Sequence, residues 1–466
     1  MLSVTSSFTS DRFLLEALKG KENELATKWA RKLCQNQNNQ FPIQLPSTLE
    51  AVKSNVTKLD LSELTLTPSI LKSIALLLPN IEQLNFNKTT LDAECIKALG
   101  SFPKLKYLSL KKCRLNDEAL QHLRNCTLLE NLDVSNNTRL TGSFFSELPT
   151  TLKGLSCKGC TLTDQAINRL QNKTQLEILN LSGNSLLTGA TFDALPTSLK
   201  ELNCNNCIAL TDQAIFGLQN KTQLETLDLS NNKLLTGVNF DVLPSSLNEL
   251  LVSRNNLSDN AIEGLRNKVQ LKKLDLSFNS LLTGVTFAAL PPSLKELICN
   301  GCTALTDQII VGLQNNTQLE ILEMQISFYN NWDILPPSLK LIKSYGKVLH
   351  TEEEINRSRA LAIEHKKKGK ELQEAVRKSG EELRLAREKS EEGNRKYEEE
   401  RRQRRIGAIE LEKRRKELEE ELRKAQENSR QSDLRFTNPG AYNAFQEDLS
   451  ERIRMVMSRG GVSVSQ

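Results

Sequence analysis

The 466-residue sequence is poor in the side chains on which most site chemistry relies. It holds three histidines, His122, His350 and His365, which are too few and too scattered to suggest a His-built metal centre or a catalytic triad. Aromatic residues make up 5% of the chain, so no stacking surface for single-stranded nucleic acid is expected. The 62 basic and 57 acidic residues nearly balance, with a net charge of +5, which lacks the one-sided basic excess of a nucleic-acid binder. Ten cysteines fall far below a disulfide scaffold for this length. No apolar run reaches the roughly 18 residues of a membrane span. The opening segment MLSVTSSFTS has neither the basic nor the apolar region of a Sec leader. These absences lead us to expect a soluble protein of a reducing compartment, cytoplasmic, without a cofactor or metal. No nucleotide loop, nucleophile elbow or pair of catalytic carboxylates appears in a plausible frame, so no enzyme is expected.

What the chain does have is repetition. From Val56 the pattern L-x-x-L-x-L recurs about every 23 to 25 residues. Copies start at Val56, Ile81, Leu105, Leu129, Leu152, Leu176, Leu199, Leu224, Leu247, Leu271, Leu294 and Leu319, with a degenerate one at Leu339. Apolar residues at the fourth and sixth positions give the period of two of a short strand with one buried face. The ninth position reads Cys113, Asn137, Cys160, Asn184, Cys207, Asn232, Asn255, Asn279 and Cys302. A turn after each strand leaves backbone groups that no ladder satisfies, and a short buried donor at a fixed position repairs them.

These copies resemble the leucine-rich repeat family, L-x-x-L-x-L-x-x-N/C-x-L, over residues 51–346. The resemblance implies an α/β solenoid: a horseshoe whose parallel strands line a concave sheet, with the ninth-position Asn or Cys turned inward as a structural ladder. Two kinds of coil alternate. One runs L-x-x-L-x-C-x-x-C and then Leu-Thr-Asp-Gln-Ala-Ile, as in Leu199–Gln223, and is similar to the cysteine-containing repeats of F-box substrate receptors. There Thr211 is placed to cap a helix, with Asp212 in its positive first turn. The other, as in Leu224–Ser246, runs L-D-L-S-x-N-x-x-L-T-G to a Phe and Leu-Pro-x-S, and is similar to repeats of bacterial effectors. Gly237 relaxes that chain, Phe240 fills the core and Pro244 blocks a longer helix. The pairs Cys157/Cys160, Cys204/Cys207 and Cys299/Cys302 have zinc-ligand spacing. Each pair occupies repeat positions six and nine, however, where other coils carry Leu or Val and Asn, and this favours packing over metal or redox chemistry.

Composition shifts after Leu349. Residues 352–430 hold 24 basic and 21 acidic side chains and no proline. Pairs such as Glu364–Lys368, Glu374–Lys378 and Glu420–Lys424 stand four apart, each worth about 0.2–0.5 kcal/mol to an isolated helix. A long charged helix over 347–431 is expected, as a single helix or as a coiled coil through which the chain forms homo- or hetero-oligomers. Its heptad stripes are only partly apolar, and Gly369, Gly380, Gly393 and Gly407 are candidate bends. The clusters Arg401–Arg405 and Lys413–Lys416 read as solvated helix faces more readily than as nuclear-localisation strings. Beyond Pro439, within 432–466, Tyr442, Phe445, Leu449, Ile453 and Val456 mark a short amphipathic helix before a loose tail. Residues 1–50 read as a helical cap on the first repeat. An F-box around Phe41–Val52 and a leaderless export signal at the N-terminus are the functional alternatives.

In the implied fold the variable positions between the leucines face out from the sheet, and most are polar. Leu251 and Ile298 stand where other coils have Asp133, Asp228 and Asp275, and Phe278 stands where they have Asn or Gly. Ile178 and Ile321 are further apolar deviations, Tyr107 marks the N-terminal end, and Arg254 adjoins the cluster. Tyr107, Ile178, Leu251, Arg254, Phe278, Ile298 and Ile321 are therefore the expected partner-binding residues. The sequence reads as a non-enzymatic scaffold that captures a protein partner, not nucleic acid. A ubiquitin-ligase substrate receptor and a bacterial effector exported into a host cell are the alternatives.

Overall fold

The computed structural model describes residues 20–35, 44–306, 308–325, 332–392 and part of 406–424. The N-terminal export segment, Phe41, the Arg401–Arg405 cluster and the 432–466 segment lie outside the described residues. The chain divides into two compact units, Met1–Gln325 and Ile326–Gln466.

The first unit is a leucine-rich repeat solenoid. Its strands are β1 (Lys58–Asp60), β2 (Gln83–Asn85), β3 (Tyr107–Ser109), β4 (Asn131–Asp133), β5 (Gly154–Ser156) and β6 (Ile178–Asn180). They continue as β7 (Glu201–Asn203), β8 (Thr226–Asp228), β9 (Glu249–Leu251), β10 (Lys273–Asp275), β11 (Glu296–Ile298) and β12 (Ile321–Glu323). Each pairs in parallel with its sequence neighbours. The register aligns the fourth-position leucines, as in Leu227↔Leu250 and Leu250↔Leu274, and these are buried. Apart from buried Gly154 and Glu323, positions three and five on either side of them stay open to solvent, wholly or in part. The strands thus turn one face to the core and one outward, as the period of two requires.

The ninth position ties each coil to the one before it. Asn184 Nδ2 donates to the Leu181 carbonyl of its own coil at 2.6 Å and to Cys157 of the preceding coil at 3.0 Å. Its Oδ1 accepts from Leu162 N at 3.1 Å. Asn137 and Asn279 repeat the same three bonds. Cys113, Cys160, Cys207 and Cys302 keep only one of the Asn donations, to the sixth-position carbonyl of the preceding coil, at 3.0, 3.6, 3.2 and 3.2 Å. Asn232 Oδ1 accepts nothing. The coil before it has an extra residue, Cys207-Ile208-Ala209-Leu210, so Leu210 N turns back to Cys207 O instead.

A second tie explains the alternation of coil kinds. Asp212 does not cap its own helix, and neither does Thr211, whose hydroxyl donates to Thr188 O at 3.3 Å. The Asp212 carboxylate reaches forward and accepts from Thr236 Oγ1 at 2.7 Å and Gly237 N at 2.9 Å. Asp117, Asp164 and Asp259 make the same forward bonds to Thr141-Gly142, Thr188-Gly189 and Thr283-Gly284. The Leu-Thr-Asp of one coil kind and the Leu-Thr-Gly of the next are two halves of one contact. Glycine is required there twice over: Gly189 has φ +84, and a Cβ on it would lie 2.3 Å from Ala214 Cβ.

Outside the ladder, Phe192, Phe240 and Phe287 open the 3-10 turns of alternate coils and are fully buried. Lys173, Lys221 and Lys268 are buried too. Lys221 Nζ donates to Asp193 O at 2.7 Å and Leu195 O at 2.6 Å, closing the carbonyls that those 3-10 turns leave open. Lys173 does the same for Ser146 O and Leu148 O, and Lys268 for Asp241 O and Leu243 O, each reaching into the preceding coil. At the N-terminal edge the helix Glu22–Gln35 lays Asn23, Thr27 and Arg31, one turn apart, along β1. Asn23 Oδ1 accepts from Thr57 N and Lys58 N at 2.9 Å, and Thr27 Oγ1 from Asp60 N at 3.1 Å. Arg31 donates to the Asp60 and Ser62 carbonyls at 3.1 and 3.0 Å. These bonds occupy an edge that would otherwise present bare backbone.

In the second unit β13 (Leu341–Ser344) and β14 (Lys347–His350) form an antiparallel hairpin. Its turn residues Tyr345 and Gly346 both have positive φ, as a tight hairpin turn needs. A helix of 41 residues, Glu352–Glu392, follows and continues through Gly369 and Gly380. Glu354 starts it with the glutamate half of a capping box, its Oε2 accepting from Thr351 N at 2.8 Å and Thr351 Oγ1 at 3.1 Å. It packs on the turn Trp332–Ile334 through buried Ile355 and a Lys366–Asp333 ion pair.

Two substitutions test this account. Gly189→Ala should cost about 2–4 kcal/mol in urea unfolding, combining a left-handed backbone penalty with overpacking. For Asn184, the expected stability order is Asn above Cys above Ala, because Cys retains one of the three bonds. An Asn184→Ala variant as stable as the parent would contradict the ladder.

Candidate binding face

The open positions of the strands are built by two local rules. At position five an Asp or Asn accepts the amide two residues on and closes the turn. Asp60, Asn85, Asp133, Asn180, Asn203, Asp228 and Asp275 all do so, at 2.9–3.0 Å. At position eight the chain is left-handed in every coil from Glu63 to Gly301. Gly159, Gly183, Gly301, Asn136, Asn206 and Asn231 suit that conformation.

Leu251, Ile298 and Phe278 break these rules side by side. Leu251 and Ile298 stand at position five and cannot close the turn, and Ser253 N turns to Ser230 Oγ at 3.3 Å instead. Phe278 holds φ 59 and Arg254 φ 58, where a bulky L-residue costs about 1–2 kcal/mol. The two stack: Arg254 Cζ lies 4.0 Å from the centre of the Phe278 ring. On its other side the ring rests on Gly301, where a Cβ would come within 2.6 Å of Phe278 Cδ1. Cation–π contact offsets part of the backbone cost.

The expected residues do not all meet. Leu251, Arg254, Phe278 and Ile298 lie on three successive coils, with Asp275 between Leu251 and Ile298 in the register. Ile321 is one strand further, opposite Glu296 in the position-three row. Tyr107 and Ile178 stand apart, on β3 and β6, in a groove of about 960 Å³ over the first half of the sheet. Asn23, Thr27 and Lys28 of the N-terminal helix wall this groove at one end. An exposed aliphatic column, Leu186, Ile208, Leu234 and Leu281, follows the ninth position on the flank, each 54–57% exposed. Sequence reasoning missed it, because these residues read as part of the leucine pattern. The extra residue per coil that pushes them outward is the signal that could have found them.

The cysteines line the core. All ten are buried and free. Burial pushes the Cys113 and Cys160 thiols up to about 11 and Cys126 to about 12. Among the described residues no group of three His, Cys, Asp or Glu could hold a metal ion. No helix among them is long and apolar enough to cross a membrane.

No family model matches the chain, and no curated protein is similar to it. Among solved structures, an internalin (inlF) from Listeria monocytogenes is similar at 21% identity, covering 69% of this chain and 94% of that one, with a TM-score of 0.48. The structure of a TLR13–ssRNA13 complex is similar at 23% identity, covering 64% of this chain and 55% of that one, with a TM-score of 0.44.

A thiol-reactive dye at pH 8 should label none of the ten cysteines in the native protein and all of them in guanidinium. Prompt labelling of a Cys-x-x-Cys pair in the native protein would argue for reactive chemistry there.

Proposed function

We propose that the chain is a non-enzymatic scaffold that captures a protein partner on the strand face of its solenoid, centred on Leu251, Arg254, Phe278 and Ile298. One observation carries this reading. Within three successive coils the chain gives up two turn-closing hydrogen bonds and holds a Phe in a left-handed conformation. The two coils before them place Asn203, Asn206, Asp228 and Asn231 at the same positions without such cost. Backbone strain of this kind collects at functional sites. An aliphatic and aromatic cluster beside an arginine is also the composition of an interface hot spot.

The same rules supply a clean test. Leu251→Asp restores the turn acceptor and Phe278→Asn restores a residue suited to left-handed backbone. The double variant should therefore melt at or above the parent temperature, by up to a few degrees. Proteins captured by the parent chain from cell extract and identified by mass spectrometry should be lost by more than tenfold. A flank variant, Leu234→Asp/Leu281→Asp, should keep them. Loss by the flank variant and retention by the face variant would sink the assignment.

A further inference from the structure

The strand face also carries a pattern that specifies what kind of segment fits it, provided the face is the binding surface proposed above. From β8 to β11 position five reads Asp228, Leu251, Asp275 and Ile298, and the register sets these in one row. Acid and aliphatic alternate strand by strand. Glu323, next in the register, is buried and accepts from Asn300 Nδ2 at 2.7 Å, so it ends the row. With strands about 4.8 Å apart, the four positions span about 14 Å.

Charge on this half of the face is one-sided. Positions three and five of β7 to β11 hold Glu201, Asp228, Glu249, Asp275 and Glu296 against the single cation Lys273. That lysine is bound to Glu249 at 2.8 Å. The same positions of β1 to β6 hold only Lys58, Asp60 and Asp133 as charged residues. Position two, at the margin, sets Lys200, Lys272 and Lys295 against Glu225 and Glu320 and does not cancel the excess. Asp275 spends one oxygen on Ser277 N at 2.9 Å, and its other oxygen has no hydrogen-bond partner among the described residues.

We propose that this row receives one face of a basic amphipathic α-helix lying across the strands. Successive same-face residues of a helix, at steps of three or four, rise about 5.3 Å, so four of them span about 16 Å and stay in step with the row. Same-face residues of an extended chain rise about 6.7 Å and fall out of step by the second strand. The matching helix carries Lys or Arg opposite Asp228 and Asp275, and Leu- or Ile-like residues opposite Leu251 and Ile298. Written along its sequence, that is basic at positions 1 and 8, and aliphatic at about 4 and 11. The Arg254–Phe278 stack bounds the row on one side.

The test uses the full-length protein and two labelled synthetic peptides of identical composition. One is a stapled helix with the pattern above, and the other has the same residues in strict two-residue alternation. Fluorescence anisotropy should show the helix binding at least tenfold more tightly than the alternating peptide, and its affinity should fall with added salt. Asp275→Asn keeps the turn acceptor, as Asn180 and Asn203 do, but removes the charge, and it should weaken helix binding about tenfold with an unchanged melting temperature. Equal binding of the two peptides, or an Asp275→Asn variant that binds the helix as the parent does, would overturn the helix assignment. If neither peptide binds while Leu251→Asp/Phe278→Asn still loses the captured proteins, the helix class is wrong and the face reading stands. If the helix binds while that variant keeps its captured proteins, the face reading fails instead.

Discussion

No coil of this solenoid can satisfy its own backbone, and the rest of the structure follows from that constraint. After each three-residue strand the chain turns inward and leaves a sixth-position carbonyl and an eleventh-position amide buried without a ladder partner. An unpaired buried group costs about 1–3 kcal/mol, which repeated over many coils would unfold the domain. The ninth-position Asn answers with two donations and one acceptance, reaching back into the preceding coil. Cysteine is the reduced form of the same answer. It fits because it is small and apolar and still donates weakly, and burial pushes the Cys113, Cys160 and Cys302 thiols up. In the three Cys-x-x-Cys pairs the second cysteine fills the ladder position and the first fills the apolar sixth position.

The forward contact from Asp to Thr-Gly sets the double period. A helical coil ends its predecessor's sequence constraint and imposes a new one on its successor, so the two coil kinds cannot be exchanged independently. This makes stability a property of neighbouring pairs of coils, as expected for a quasi-one-dimensional array. It also places the carboxylates and buried lysines of the coil connections in structural service, bound to backbone groups, where they are not available to a ligand. The strand face is left as the surface with freedom to vary.

That freedom is narrower than the variable positions suggest. Positions five and eight of the face each have a backbone task, and most coils obey it. Residues that abandon the task are therefore more informative than residues that are merely apolar. Polar residues leave it in some coils, Ser109 and Ser156 at position five and Glu63, Lys88, Lys112 and Arg254 at position eight; Leu251, Ile298 and Phe278 are the apolar residues that abandon it, whereas Tyr107, Ile178 and Ile321 occupy position three, where no backbone rule is broken. The aliphatic column of Leu186, Ile208, Leu234 and Leu281 is more exposed than the face cluster but carries no such cost.

The repeat, its strands and the inward ladder were legible in the sequence, because period-two burial and a fixed polar slot leave a mark at every copy. So was the helical character of the charged segment, although Lys347–His350 form a strand ahead of it and Gly369 and Gly380 proved compatible with a continuous helix. Other features depended on three dimensions. Thr211 and Asp212 carry every mark of a helix cap, yet both bond to other coils, since the stacking distance brings a neighbouring turn closer than their own helix start. Lys173, Lys221 and Lys268 look like surface residues and are buried, because the carbonyls they close belong to a coil more than twenty residues away. The seven expected binding residues were chosen by sequence type, and the register alone separated them into a groove and a cluster. Local pattern determines which residues face inward, because that depends on the chain's own period. Which of them meet depends on the packing of one coil against the next, and only the tertiary structure decided that.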